Sequence, residues 1–266
     1  MTNYVPLTHT AHQQAGVGGA DMSFAQEQAV VPVVAQEIPQ LLPTMAMAFV
    51  QDKSTQGFRL VAIQALEPAN NVYVHTNGRW IGGYRPAWYR AWPFSLAPDP
   101  DSSRMILCVN DQASCFHSEA EPGDRALYTE NEQPTDFVKN LMEFLKNYER
   151  NRQATQTAVD LLANSGLMTP WKIETRKANN GEVQPVTGLF RIDEKALREL
   201  EPSVLAPMVQ NGALSIAYSQ LLSEHRIGAL SRLYELRSAS RNKKKPVEEL
   251  DIETLFADND EDDLKF

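Results

Sequence analysis

The sequence predicts an α+β fold: a small mixed or antiparallel sheet with an inserted short aromatic helix, packed against one long helix and a C-terminal helical group, and followed by a disordered acidic tail. Three observations predict it. Short apolar, β-branched runs broken by turn residues crowd into residues 45–110. One long stretch with helical periodicity comes next. Shorter helical stretches then close the body before the acidic end. At 266 residues the chain can bury a substantial core, and 42% hydrophobic with 22% charged residues is ordinary for a globular protein.

Residues 1–44 read as irregular, with prolines at 6, 32, 39 and 43 and a GVGG at 16–19. No strand pattern precedes those glycines and no Lys-Ser/Thr follows them, so a flexible connector is a better reading than a phosphate cradle. MAMAFVQD (45–52), FRLVAIQAL (58–66) and NNVYVHT (70–76) read as strands, with KSTQG and EPAN as turns, and RMILCVN (104–110) as a fourth. Between the third and fourth, Pro86 suits a first helical turn and Pro93 must end any helix, so a short helix is expected over 86–92, inserted into the sheet.

Residues 135–165 predict a long helix. Phe137, Leu141, Leu145, Tyr148, Thr155, Val159 and Leu162 recur near one face, Thr135 or Pro134 marks the start, and Gly166 marks the stop. PWKIETRK and VQPVTGLFRID flank ANNGE, whose Asn180-Gly181 pair is a strong hairpin signal. Helices are expected over 194–200, 204–210 and 214–236, the last with Leu214, Tyr218, Leu221, His225, Leu230 and Leu233 roughly on one side. There is no internal repeat at a period of 20–50 residues.

The net charge of −9 is uneven: residues 246–266 carry −8 and residues 238–245 carry +4, which leaves −5 for 1–237. The division expected is therefore an α+β domain over 1–237 and a basic knot with an acidic tail over 238–266. No apolar run reaches the length of a membrane-spanning helix, and the first residues lack a basic head followed by an apolar stretch. Two cysteines, Cys108 and Cys115, make no disulfide framework, so a cytoplasmic protein with reduced thiols is expected.

The most unusual stretch is RWIGGYRPAWYRAWPFSL (79–96). It holds three of the four tryptophans, with two tyrosines, one phenylalanine and three arginines. Single strands of nucleic acid are held by cations on phosphates and rings on bases. Arg79, Arg85 and Arg90 suit the first task, and Trp80, Tyr84, Trp88, Tyr89 and Trp92 the second. A short aromatic helix between strands equally suits a core role, with arginines stacked on tryptophan or paired with acids. Both readings stay open at this level.

The chain resembles the SapC family of bacterial and phage proteins. The features that carry the resemblance are Val5-Pro6-Leu7, Val31-Pro32, FRLVAIQAL, and GRW followed by Tyr84, Pro86-Ala87, Arg90 and Pro93-Phe94, then FVKNLMEFLKNYERN, SGLMTPWKI and SIAYSQLLSEHRIGALSRL. The resemblance covers about residues 1–237. It implies no catalytic motif and no cofactor. The family's name comes from a surface-layer gene locus, which implies an accessory or interaction role in a surface-layer or cell-envelope pathway.

The chain ends NDEDDLKF, which looks like the acidic tip of single-stranded-DNA-binding proteins. In such a tip a terminal ring fills an apolar pocket while carboxylates meet basic residues at its rim. Asp260, Glu261, Asp262, Asp263, Leu264 and Phe266 fit that pattern; Lys265 departs from it. An acidic end that only keeps a protein soluble is the alternative.

Enzyme readings are poorer. His9, His12, His75, His117 and His225 have no metal-ligand spacing, there is no Gly-x-Ser-x-Gly, and Glu119 and Glu121 sit in a loop rich in Pro and Gly. Cys115, beside His117, is the one thiol with a neighbour able to activate it. The expectation is a non-enzymatic protein without metal or cofactor. It would bind single-stranded DNA through the aromatic block and recruit replication or repair partners through its tip, with no membrane partner.

Overall fold

The structure is a computed structural model that describes residues 4–19, 21–67, 70–99, 104–176 and 182–242, the side chains of 176 and 235–242 excepted. The Asn180-Gly181 turn, Lys243 to Lys245 of the basic knot and the acidic tail lie outside the described residues. In chain order the elements are β1 (Val5–Pro6), α1 (His9–His12), β2 (Gly16–Val17), β3 (Val30–Pro32), α2 (Ile38–Leu41), β4 (Met47–Gln51), β5 (Phe58–Ile63), α3 (Ala87–Ala91), β6 (Phe94–Pro98) and β7 (Met105–Val109). They continue with β8 (Phe116–His117), β9 (Arg125–Ala126), α4 (Asp136–Asn164), β10 (Met168–Pro170), β11 (Ile173–Arg176), β12 (Val183–Val186) and β13 (Leu189–Ile192), and end with α5 (Glu194–Arg198), α6 (Pro202–Gln210), α7 (Ala213–Ser223) and α8 (Arg226–Asn242).

The chain folds into two compact units, each built from separate stretches: residues 1–22 with 87–151, and residues 23–86 with 152–266. The α+β class holds, but where one small sheet was expected the described residues form four, all antiparallel.

The first unit has two three-stranded sheets, β1-β7-β6 and β8-β2-β9. Its core gathers Phe94, Leu107, Val109, Leu127, Val138, Leu141 and Leu145. The opening residues are not irregular. Val5 pairs with Val109 at a sheet edge, where Pro6 sits with no ladder partner demanded on its outer side. Gly16 and Val17 form the middle strand of the second sheet. A Cβ at Gly16 would lie 2.7 Å from Ala120 Cβ and 2.9 Å from Asp124 Cβ. The glycine is there because the 118–124 loop folds against it, not to loosen a connector.

The second unit is built on a five-stranded sheet of order β10-β13-β4-β5-β3. Met47 to Phe49 and Leu60 to Ile63 are all buried, as expected for central strands packed on both faces. Pro32 and Pro170 fall on its two edge strands, where a missing N–H costs no ladder bond. Residues 70–76 are buried at Val72, Tyr73 and Val74 yet do not form a strand; Val74 makes only an isolated bridge to Trp80. Asn71 explains the difference. Its side chain accepts from Tyr73 N–H at 2.9 Å and donates to the Ala25 carbonyl at 2.9 Å, so one local and one long-range side-chain bond stand where a ladder would.

α4 follows the expected bounds closely. Thr135 sits at its start, and Gly166, with φ +72°, ends it as the Leu167 N–H returns to the Leu162 carbonyl at 3.3 Å. Its first part buries Val138, Leu141 and Leu145 in the first unit, and its last part buries Thr155, Ala158, Val159 and Leu162 in the second. The expected hairpin pairs Ile173 with Val186, and β10 pairs with β13 beside it.

The helix expected over 214–236 is two helices, α7 and α8, broken at Glu224 and His225. The face turned inward on α7 is also different. Ala213, Ile216, Ala217, Gln220 and Ser223 are buried against β13 and β4, while Tyr218 is 44% exposed. The Gln220 carboxamide accepts from the Ile192 N–H at 2.9 Å and donates to the Met47 carbonyl at 3.3 Å; Ser223 Oγ accepts from the Met47 N–H at 2.9 Å. The β13–β4 pairing is registered at Leu189–Val50 and Phe190–Phe49. Polar side chains on α7 take up backbone groups at the ends of that pairing, and this fixes which stripe faces in.

Candidate binding surface

The aromatic block crosses from one unit to the other between Pro86 and Ala87. Arg79, Trp80, Tyr84 and Arg85 therefore belong to the second unit, and Trp88, Tyr89, Arg90 and Trp92 to the first.

In the second unit the rings are tied into the fold. Trp80 stacks on buried Tyr73, with ring centroids 5.7 Å apart and planes at 24°. The Tyr73 hydroxyl donates to the Thr44 carbonyl at 2.8 Å. Tyr84 donates its hydroxyl to Glu37 Oε1 at 2.9 Å, and the other oxygen of this buried carboxylate accepts from the Val34 N–H at 3.0 Å. Trp80 and Tyr84 stay half-buried and Arg79 is exposed.

In the first unit, α3 buries Ala87, Tyr89 and Ala91. Tyr89 is 2% exposed and offers no face to a ligand, whereas Trp88 is 49% exposed. Trp88 and Arg90 are two residues apart, about 200° around the helix, and so flank the buried face on opposite sides. Trp92 is half-buried on the core, and its side chain hydrogen-bonds the Cys115 thiol. Burial nevertheless raises that thiol above its ordinary range, so Cys115 has the character of an inert core residue.

α4 adds residues that were not singled out as ligand contacts. The Arg90 guanidinium lies 5.0 Å from the centre of the Phe144 ring, and Arg125 lies 5.2 Å from that of Phe137. Phe137 and Phe144 are seven residues apart, about 10 Å along the helix. Two cations are thus parked over two rings with similar geometry. Arg125 stands in a loop-bound two-residue strand, and only the tertiary fold brings it to Phe137, so no local pattern marked it.

Charge sets the background. Residues 1–22 and 87–151 hold twelve Asp or Glu against six Lys or Arg, a net −6 for the first unit. His117 and Asp124 pair there, Nδ1 to Oδ2 at 2.6 Å, and the same oxygen accepts from the Glu121 N–H at 2.8 Å. The hydrogen bond to Asp124 raises the His117 pKa, and the one to His117 lowers that of Asp124. In the second unit an open groove of about 420 Å³ runs past Trp171, Lys172, Arg191, Asp193 and Lys195. Its charges are partly spent: Arg191 meets Glu224 at 2.9 Å, and Asp193 caps α5 by accepting from the Ala196 N–H at 3.0 Å.

Among the described residues, no three His, Cys, Asp or Glu side chains gather as a metal site, and no helix is long and apolar enough to cross a membrane. The partner-binding residues expected at the C-terminus, Asp260 to Asp263, Leu264 and Phe266, lie outside the described residues.

No curated protein and no solved structure matches the chain. The SapC family model matches residues 7–230, which takes in most of both units and the whole aromatic block. The chain belongs to the SapC family.

Proposed function

We propose that this SapC-family protein is a cytoplasmic, non-enzymatic binding protein that holds single-stranded DNA weakly on its first unit and recruits replication or repair partners through its acidic C-terminal tip. The observation that carries the reading is Trp88. Its indole is 49% exposed, the largest exposed ring of the first unit, on a helix that carries Arg90 exposed on the other side of its buried face. Arg90 and Arg125, lying over Phe144 and Phe137, put cationic groups on the same unit as that ring, the pairing of charge and ring that single strands use.

Magnitudes bound the strength of this interaction. Two phosphate contacts correspond to a log–log salt slope of about −1.4 on a single strand. The −6 of the unit opposes a polyanion, so the affinity belongs in the non-specific range of about 10⁻⁴–10⁻⁶ M. The −8 carried by residues 246–266 competes with DNA for the same cations.

Fluorescence anisotropy with a labelled oligothymidylate of about 20 nucleotides tests the reading across salt. Trp88→Ala is expected to weaken binding by about 5- to 150-fold, the equivalent of one stacked base, without loss of the folded state. Removal of residues 246–266 is expected to tighten it. No binding at low salt, with or without the tail, overturns the proposal and leaves the accessory role in a surface-layer or cell-envelope pathway that the family's name implies.

A further inference from the structure

The open groove of about 420 Å³ on the second unit is lined by charges of both signs that are not equally engaged. Three cations line it, Lys172, Arg191 and Lys195, with two acids, Asp193 and Glu194. Both acids have partners. Asp193 Oδ1 accepts from the Ala196 N–H at 3.0 Å, and Glu194 pairs with Arg198 one turn along α5. Arg191 is held by Glu224 at 2.9 Å. Lys172 and Lys195 are exposed, and among the described residues neither side chain has an ion-pair or hydrogen-bond partner. Pro170 and Trp171 add apolar lining. The groove thus offers a guest two unpaired positive charges beside apolar surface, which suits an acidic segment that also carries apolar side chains.

We propose that residues 258–266 of the same chain occupy this groove, with the carboxylates of Asp260, Glu261, Asp262 and Asp263 on Lys172 and Lys195, and with Leu264 and Phe266 against Pro170 and Trp171. Charge and tether both select this occupant. Residues 258–263 hold five acids in six positions. Residues 23–86 and 152–237, the second unit short of the basic knot and tail, hold fourteen Lys or Arg against thirteen Asp or Glu, a net +1, while the first unit carries −6. The acidic run is therefore repelled by the first unit and not by the second.

Reach is sufficient. The groove and α8 belong to the same unit, and α8 ends at Asn242. The sixteen residues from there to Asp258 span at most about 55 Å. That exceeds the breadth of a compact unit of this size, whose radius of gyration is about 15 Å. A tethered segment meets its site at an effective concentration of order mM, so a Kd of order 0.1 mM keeps the groove filled about nine-tenths of the time. A free acidic peptide present at micromolar concentration does not match that. A nucleic-acid base finds no open ring face, because Trp171 is only 9% exposed. The contact does not depend on DNA binding by the first unit.

Paramagnetic relaxation in the full chain tests it. Cys108 and Cys115 are buried, so Asn259→Cys gives a spin label one accessible thiol, within the acidic run. At low salt the label is expected to broaden the Trp171 and Ile192 amides, and the broadening is expected to fade at 1 M salt, where the Debye length is about 3 Å. Lys172→Glu with Lys195→Glu is expected to abolish it. Asp262→Lys with Asp263→Lys is expected to do the same, and alters no residue of the groove. Combining the two pairs is expected to restore the broadening, which a loss of fold would not allow. The proposal is overturned if the amides keep their intensity at low salt, which leaves the acidic run to the basic residues 241–245. It is overturned equally if the broadening survives 1 M salt or either reversed pair, or if the combined variant does not regain it. Broadening from a spin-labelled copy onto an isotope-labelled one assigns the groove to a second chain. Shifts of the same amides by oligothymidylate, in a chain that the label leaves unbroadened, assign it to nucleic acid. Either result has the same force.

Discussion

Gln220→Leu removes the side chain that holds α7 to the ends of β13 and β4. Gln220 is fully buried, and leucine of similar size takes its space without a cavity. What is lost is hydrogen bonding: the buried Ile192 N–H and Met47 carbonyl lose their partners at 2.9 and 3.3 Å, and the half-buried Glu224 carboxylate loses a donor at 3.1 Å. A buried backbone group left unsatisfied costs about 1–3 kcal/mol, so the pair costs about 2–4 kcal/mol after local relaxation. In amide hydrogen exchange this is about a 30- to 700-fold loss of protection at Ile192. The Ile63 amide on β5, bonded across to the Ala46 carbonyl at 2.8 Å, serves as an internal control. Ser223→Ala, which frees the Met47 N–H, is expected to be coupled to Gln220→Leu, because both act on Met47. Unchanged protection at Ile192 in Gln220→Leu would refute the claim that these bonds, rather than apolar contact, choose the inward face of α7.

Three further outcomes are expected. Gly16→Ala places a Cβ within 3 Å of Ala120 and Asp124 Cβ atoms, so the 118–124 loop must move; a loss of about 1–3 kcal/mol in thermal or urea unfolding checks this. The His117–Asp124 pair gives a pH window. The raised pKa of His117 contributes stability that is complete below its ordinary value of 6.5 and is lost as pH rises through the higher folded value. The lowered pKa of Asp124 contributes stability that is complete above its ordinary 3.8 and is lost as pH falls through the lower folded value. The pair's support is therefore greatest between about 4 and 6.5, and His117→Gln is expected to flatten the fall in unfolding midpoint above that window. Cys108 and Cys115 are both buried with raised thiol pKa, so a thiol-disulfide reagent at neutral pH is expected to label neither in the native chain and both in denaturant; rapid native labelling would contradict their burial.

The sequence by itself determined the elements whose signal is local. α4 is bounded by Thr135 and Gly166 because capping and a left-handed terminator act within one turn. β4, β5, β7, α3 and the β11–β12 hairpin are legible because alternation, proline placement and turn residues report on backbone geometry within a few positions. The clustering of rings and arginines between 79 and 94, and the family it marks, were equally plain. Only the tertiary structure decided what those rings do. It sealed Tyr89, tied Tyr84 to Glu37 across 47 residues of chain, left Trp88 outward, and brought Arg90 and Arg125 over rings on α4. It also turned Ala213, Ile216 and Gln220 inward on α7, a different side from the Leu214, Tyr218 and Leu221 that the periodicity had grouped. The physical reason is common to these cases. Burial is set by which backbone groups and cavities another part of the chain presents, and a periodic pattern that is apolar on two sides cannot say which side meets them.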